Sequence, residues 1–211
     1  MAANNVELIF TWYFRFNGYF TVPNFTVHKD YKKRPGGGEA DLLGVRFPLS
    51  HEEPRNYPFF QDGDLIFKDK TDFVIVEMKS GKCSINPAWE NMDYRNVQYA
   101  LKWMGCLNGD TKEIEKVADS IYKTSQWMSK DKKRIIRIIS CGKEINPDLA
   151  KQKPQLLQIE LLRAVTFLHQ RFNTGCNQIN RANWDKFIQK FADLCQTEHN
   201  VATLTNWVLK K

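Results

Sequence analysis

Two residues of opposite charge, Glu77 and Lys79, close an apolar run that extends from Phe73 to Val76. Side chains of a β-strand alternate between its faces, so positions i and i+2 project to the same side. A carboxylate and an ammonium sharing one face at the end of a buried strand can meet one ligand. A hard divalent cation such as Mg2+ takes oxygen donors and usually retains several waters. Glu77 can give one oxygen and the Met78 carbonyl another, and a second carboxylate would complete the protein's share. Lys79 is a compact charge with three donors. It can orient or help deprotonate an attacking water, or neutralise charge that develops on a phosphate. The same triplet is also an ordinary way to finish a strand at solvent, so its surroundings have to decide.

Two residues qualify as the second carboxylate. Asp41 heads the segment ADLLGVRF, preceded by Glu39 and three consecutive glycines. Asp64 opens DLIF, and a hairpin turning over residues 68–72 would set it opposite Glu77. Spacing leaves both open.

The elements that must hold these groups are legible in outline. Asn4 and Asn5 can cap a helix from Val6 to Phe16, stopped at Asn17-Gly18, with aromatic residues around most of its circumference. Tyr19 to His28 is β-rich, and Pro23 marks it as an edge or bulged strand. Lys29 to Gly38 is a basic, glycine-rich connector, Ala40 to Phe47 a second strand, and Ser50 to Asp62 a polar loop. The strand ending at Lys79 is apolar on both faces, as expected inside a mixed sheet. Helices are expected over Asp93–Cys106 and Lys112–Tyr122, then a strand over Arg134–Ser140 (RIIRIIS). Helical periodicity returns over Leu156–Phe172, Trp184–Cys195 and Val201–Leu209. The chain therefore reads as α/β, with a core over residues 1–150 and a helical C-terminal extension over 151–211 packed on it.

An acid heading one strand and an apolar strand ending in Glu-x-Lys, in this order of elements, resembles the PD-(D/E)XK nuclease superfamily. That superfamily includes many restriction endonucleases and Holliday-junction resolvases. The resemblance runs from Val6 to Ser140 and implies a restriction-endonuclease-like core (α-β-β-β-α-β, a mixed sheet flanked by helices). It also implies hydrolysis of phosphodiester bonds with Mg2+, for which Mn2+ can substitute. Glu77 and Lys79 match Glu-x-Lys. The block from Gly38 to Leu43 is similar to the form in which many members present their first acid, which favours Asp41 and makes residues 50–72 an insertion. Asp64 has the more usual spacing, but Gly63 stands where the family name has proline. By the same resemblance Glu7 is the acid of the first helix and a third metal ligand. Gln98 is then the glutamine that some members direct toward the site, and Lys102 can reach a phosphate.

The net charge of +7 favours an anionic partner, with nucleic acid the commonest. DNA is preferred to RNA, and Lys32, Lys33, Arg34, Lys82 and Lys102 are the expected backbone contacts. A homodimer is a further expectation, because cutting both strands of a duplex takes two sites. The alternative is a module on the same fold that binds nucleic acid or protein without cleaving. Five scattered cysteines form no zinc or redox spacing and suit a reducing compartment. No leader or spanning segment is expected, and the reading is of a cytoplasmic protein without a membrane partner. Glu7 also reads simply as a first-turn helix residue, Gln98 as a surface residue and Trp103 as a core or rim residue.

Overall fold

The computed structural model describes residues 4–27, 38–48, 62–65, 67, 69–173 and 183–210. The basic connector with Lys32, Lys33 and Arg34, most of the loop expected over Ser50–Asp62, and Cys176 lie outside the described residues.

Helix α1 spans Asn5–Phe16. Asn4 caps it by accepting from the Glu7 amide, and the Glu7 carboxylate reaches back to the Asn4 amide, so two end donors are satisfied reciprocally. The chain continues through β1 (Phe20–Thr26), β2 (Glu39–Arg46), a 3-10 turn at Gly63–Leu65, and β3 (Thr71–Lys82). Next come α2 (Pro87–Glu90), a 3-10 turn at Met92–Tyr94, α3 (Asn96–Met104), α4 (Thr111–Thr124), β4 (Gln126–Met128) and β5 (Arg134–Glu144). The last elements are α5 (Pro147–Gln152), β6 (Leu157–Glu160), α6 (Leu161–Asn173), α7 (Lys186–Thr197) and α8 (Val201–Leu209).

The strands form one open mixed sheet in the order β1-β2-β3-β5, with both β4 and β6 on β5. β2 runs antiparallel to β1 and β3, whereas β3 and β5 are parallel. β4 pairs antiparallel along the first part of β5, and β6 pairs parallel along its last part. β1 is an edge strand, as Pro23 implies. Its register skips Asn24, which sits at φ 53°.

Each face of the sheet carries its own apolar layer. On one, Leu42, Val74, Val76, Met78, Ile139 and Cys141 pack with α1, α6, α7 and α8. On the other, Leu43, Phe73, Ile75, Ile136 and Ile138 pack with α3 and α4. The alternation along β3 assigns its residues to these layers in turn. Because β6 lies in the sheet and the last three helices share a layer with α1, the chain after residue 150 is continuous with the same sandwich. The described cysteines are all buried. No helix of the described residues is long and apolar enough to cross a membrane.

The structure corrects three expectations, the first being that the helix expected from Leu156 starts at Leu161, since Leu157–Glu160 pair with β5 as β6. The hairpin joining DLIF to the Glu77 strand does not form, since Gly63–Leu65 is a helical turn and β3 pairs with β2 and β5. Leu65 is buried, the Asp64 carbonyl accepts from Arg137 at 3.1 Å, and Asp62 is held by Arg163 and Tyr13. These tertiary contacts override a four-residue apolar run too short for periodicity to decide. The helix expected over Asp93–Cys106 is broken at Arg95, whose φ of 54° lies in the left-handed region.

Candidate metal and phosphodiester site

Cross-strand pairing between β2 and β3 ends at Leu42 opposite Val76, so Asp41 and Glu77 occupy the next positions, where the two strands part. The Asp41 carboxylate takes over from the ladder there. Its Oδ2 accepts the Met78 amide at 2.5 Å, which fixes the side chain at the head of β2. Glu77 and Lys79 follow Phe73 and Ile75 on the α3/α4 face. Lys79 Nζ donates to Glu77 Oε2 at 2.6 Å and lies 3.7 Å from Asp41 Oδ2. One cation thus spans two carboxylates. Sequence spacing brought two of these three residues together, and the fold selects Asp41 as the third.

The groups differ sharply in burial. The Glu77 side chain is 1% exposed, against 21% for Asp41 and 32% for Lys79. Burial pushes the Glu77 carboxyl above its ordinary value; Lys79 opposes this, and the nearby Asp41 charge adds to it. Burial works against the Lys79 ammonium, but Glu77 and then Asp41 outweigh it and raise its pKa. The second Glu77 oxygen, Oε1, is buried and has no hydrogen bond of ordinary geometry among the described residues, the Asn86 amide acting on the carboxylate only weakly. A buried, poorly bonded oxygen of an ionisable group is costly, and a cation is the kind of partner that satisfies it.

Lys79→Met tests this charge balance. A lysine with a raised pKa contributes stability that is fully present below its unfolded value and lost only as pH rises through its folded value. At neutral pH its removal therefore leaves Glu77 and Asp41 uncompensated. We expect a loss of about 1.5–3 kcal/mol at neutral pH. The loss shrinks as pH falls toward about 4.3, where carboxylates protonate. Thermal melts at the two pH values measure it, and an equal loss at both would contradict the charge-balance reading.

The remaining sequence-derived residues separate from this cluster to different degrees. Glu7 is close enough for Asp41, Glu39 and Lys79 to act on its charge, although burial is the main cause of its raised pKa. Both its oxygens serve the helix cap, Oε2 accepting from the Asn4 amide at 3.1 Å and Oε1 from Asn4 Nδ2 at 2.7 Å. Asp64 is not opposite Glu77. Its carboxylate meets Arg163 at 2.7 Å, and its carbonyl meets Arg137, which binds Asp72 near the start of β3. Gln98 accepts from Tyr122 Oη at 3.1 Å and lines a cavity with Arg95, Glu115 and Asp119. Lys82, at the end of β3, and Lys102, on α3, are exposed.

Sequence reasoning passed over Ser140, which stands in register with Glu77 on β5 and donates to the Ser84 carbonyl at 2.9 Å. The polar end of RIIRIIS was its only signal. Among the described residues no group of three or more His, Cys, Asp or Glu side chains converges as a metal cage. Compared with protein-family models, curated proteins and solved structures, the chain gives no match.

Proposed function

We propose that this protein is a divalent-metal-dependent nuclease of the PD-(D/E)XK type, hydrolysing phosphodiester bonds in DNA. The observation that carries the reading is the Asp41–Glu77–Lys79 cluster, whose buried Glu77 Oε1 has no ordinary hydrogen bond among the described residues. Asp41 and Glu77 would hold Mg2+, or Mn2+ in its place; two protein carboxylates suffice for an ion that keeps several waters. When bound, the ion supplies Lewis-acid activation of the phosphodiester. Lys79 positions the attacking water and offsets negative charge as the phosphorus centre is attacked. Asp41, held by the Met78 amide, keeps its place independently of the ligand. Glu7 supports the charge of the region from its capping position. Gln98 and Lys102 lie on the helix layer that borders this face.

The test is cleavage of end-labelled DNA by the full chain, in single-stranded and duplex form. Products form with Mg2+ or Mn2+ and vanish with chelator. No cleavage with either ion on either substrate would sink the proposal.

A second reading is favoured by the Lys79 ammonium itself, which already pairs with both carboxylates. On that reading the same fold binds nucleic acid or a protein without cutting. It predicts salt-sensitive binding with no products under any divalent ion.

A further inference from the structure

The outer face of α3 presents an unusual set of side chains for a helix over a sheet. Arg95, Tyr99, Lys102 and Trp103 are all exposed, Tyr99 to 42% and Trp103 to 56%. Tyr99, Lys102 and Trp103 share one stripe of the helix by their spacing, and Arg95 stands at its N-cap. The opposite side of the helix, Asn96, Val97, Ala100 and Leu101, is buried. An exposed Tyr–Trp pair with interleaved cations suits a ligand with flat apolar groups and anionic links.

The stripe also adjoins the carboxylate site. The start of α3 is pressed onto the head of β2, where a Cβ at Gly38 would fall 2.6 Å from Asn96 Nδ2. Near its other end Trp103 lies against Phe25, ring centroids 4.7 Å apart. Phe25 pairs across the sheet with Ala40, the residue before Asp41. Phe25 packs in the same apolar layer as Ile75, whose face Glu77 and Lys79 share. Phe25 thus touches the Trp103 indole at a tilt of 52°, which restrains the ring and lowers the entropic cost of binding. On the inner side of the stripe Glu115 borders a cavity with Arg95, Gln98, Tyr99 and Lys102, where the two cations outnumber the one carboxylate.

We infer that this face of α3 is a stacking platform for single-stranded DNA, whose unpaired bases lie on Tyr99 and Trp103 while Lys102 and Arg95 meet its phosphates. Duplex DNA keeps its bases stacked on each other and offers these rings only its backbone, so the platform selects single-stranded or frayed substrate. The inference rests on the nuclease reading for the site that the strand leads to.

Binding can be separated from cleavage by measuring it in chelator. Fluorescence anisotropy of the full chain with labelled oligo-dT, with an abasic oligonucleotide of equal length and with a duplex provides the comparison. We expect oligo-dT to bind more tightly than either of the others. Tyr99→Ala and Trp103→Ala should each weaken oligo-dT binding roughly tenfold, the scale of one lost base–aromatic stack. Both leave abasic binding unchanged when measured well below each variant's melting temperature. Equal affinity for oligo-dT and the abasic strand, or unchanged oligo-dT binding in the double variant, overturns the platform. Stacking without cleavage in Mg2+ keeps the platform and removes the nuclease reading; cleavage indifferent to both ring deletions does the reverse.

Discussion

Glu77→Gln removes Mg2+-dependent cleavage, by on the order of a thousandfold, while the chain stays folded. The amide fills the same volume and can still accept from Lys79, but it carries no charge with which to hold a divalent ion. In the parent chain, burial raises the Glu77 pKa, so the folded state favours its protonated form. Folding stability attributable to this residue therefore falls as pH rises past the ordinary glutamate value of about 4.3. Glutamine removes that pH dependence. Activity has the opposite dependence, because only the carboxylate binds the ion. The acid limb of the parent's pH–rate profile accordingly lies above the ordinary carboxylate value. Cleavage rates and melting curves across pH check both halves. Cleavage by Glu77→Gln at the parent's rate would remove Glu77 from the site.

Asp72→Ala should cost the fold about 3–5 kcal/mol. Asp72 is fully buried and receives Arg137 through two bonds, Nε at 3.2 Å and Nη2 at 2.6 Å, together with the Tyr19 hydroxyl. The guanidinium also lies over the Phe67 ring, 4.8 Å from its centroid. Removing the carboxylate strands a cation on β5 between two apolar layers. In a chain of this size the deficit lowers the melting temperature by on the order of 10 °C. Replacing both partners with apolar residues of similar volume, as in Asp72→Leu with Arg137→Met, should recover much of the loss. A loss under about 1 kcal/mol for Asp72→Ala would show that Arg137 finds another partner.

What could be read from the sequence follows from which signals are local. Glu77 and Lys79 were legible because alternation along a strand is a local rule, and Asp41 because an acid before an apolar run stands out. Choosing Asp41 over Asp64 needed the partner of β3, which is a non-local fact. The long strands and most helices were placed within a few residues. β4 and β6, of three and four residues, carry too little pattern to register and exist because β5 offers them an edge. The Asp72–Arg137 pair was hidden for another reason: its partners lie 65 residues apart, and which strand lies beside β3 is not a local fact. Arg137, a charge amid the apolar strand RIIRIIS, was its trace. Gln98 looked directed at the site from its helical position, yet Tyr122 claims it. Glu7 carried two readings at once, and the cap accounts for both its oxygens.

Helix α1 raises a question of timing. Ile9, Phe10, Tyr13 and Phe14 are wholly buried, and much of their cover comes from the far end of the chain. Tyr13 meets Phe167 edge-on, Phe16 meets Phe172, and Trp12 lies against Trp184. During synthesis the first helix therefore leaves the ribosome with its aromatic girdle bare and waits for almost the whole chain before it can be enclosed. Such distant pairings slow folding and leave sticky surface open meanwhile. A nascent chain stalled before α6 is the form of this protein most in need of a chaperone.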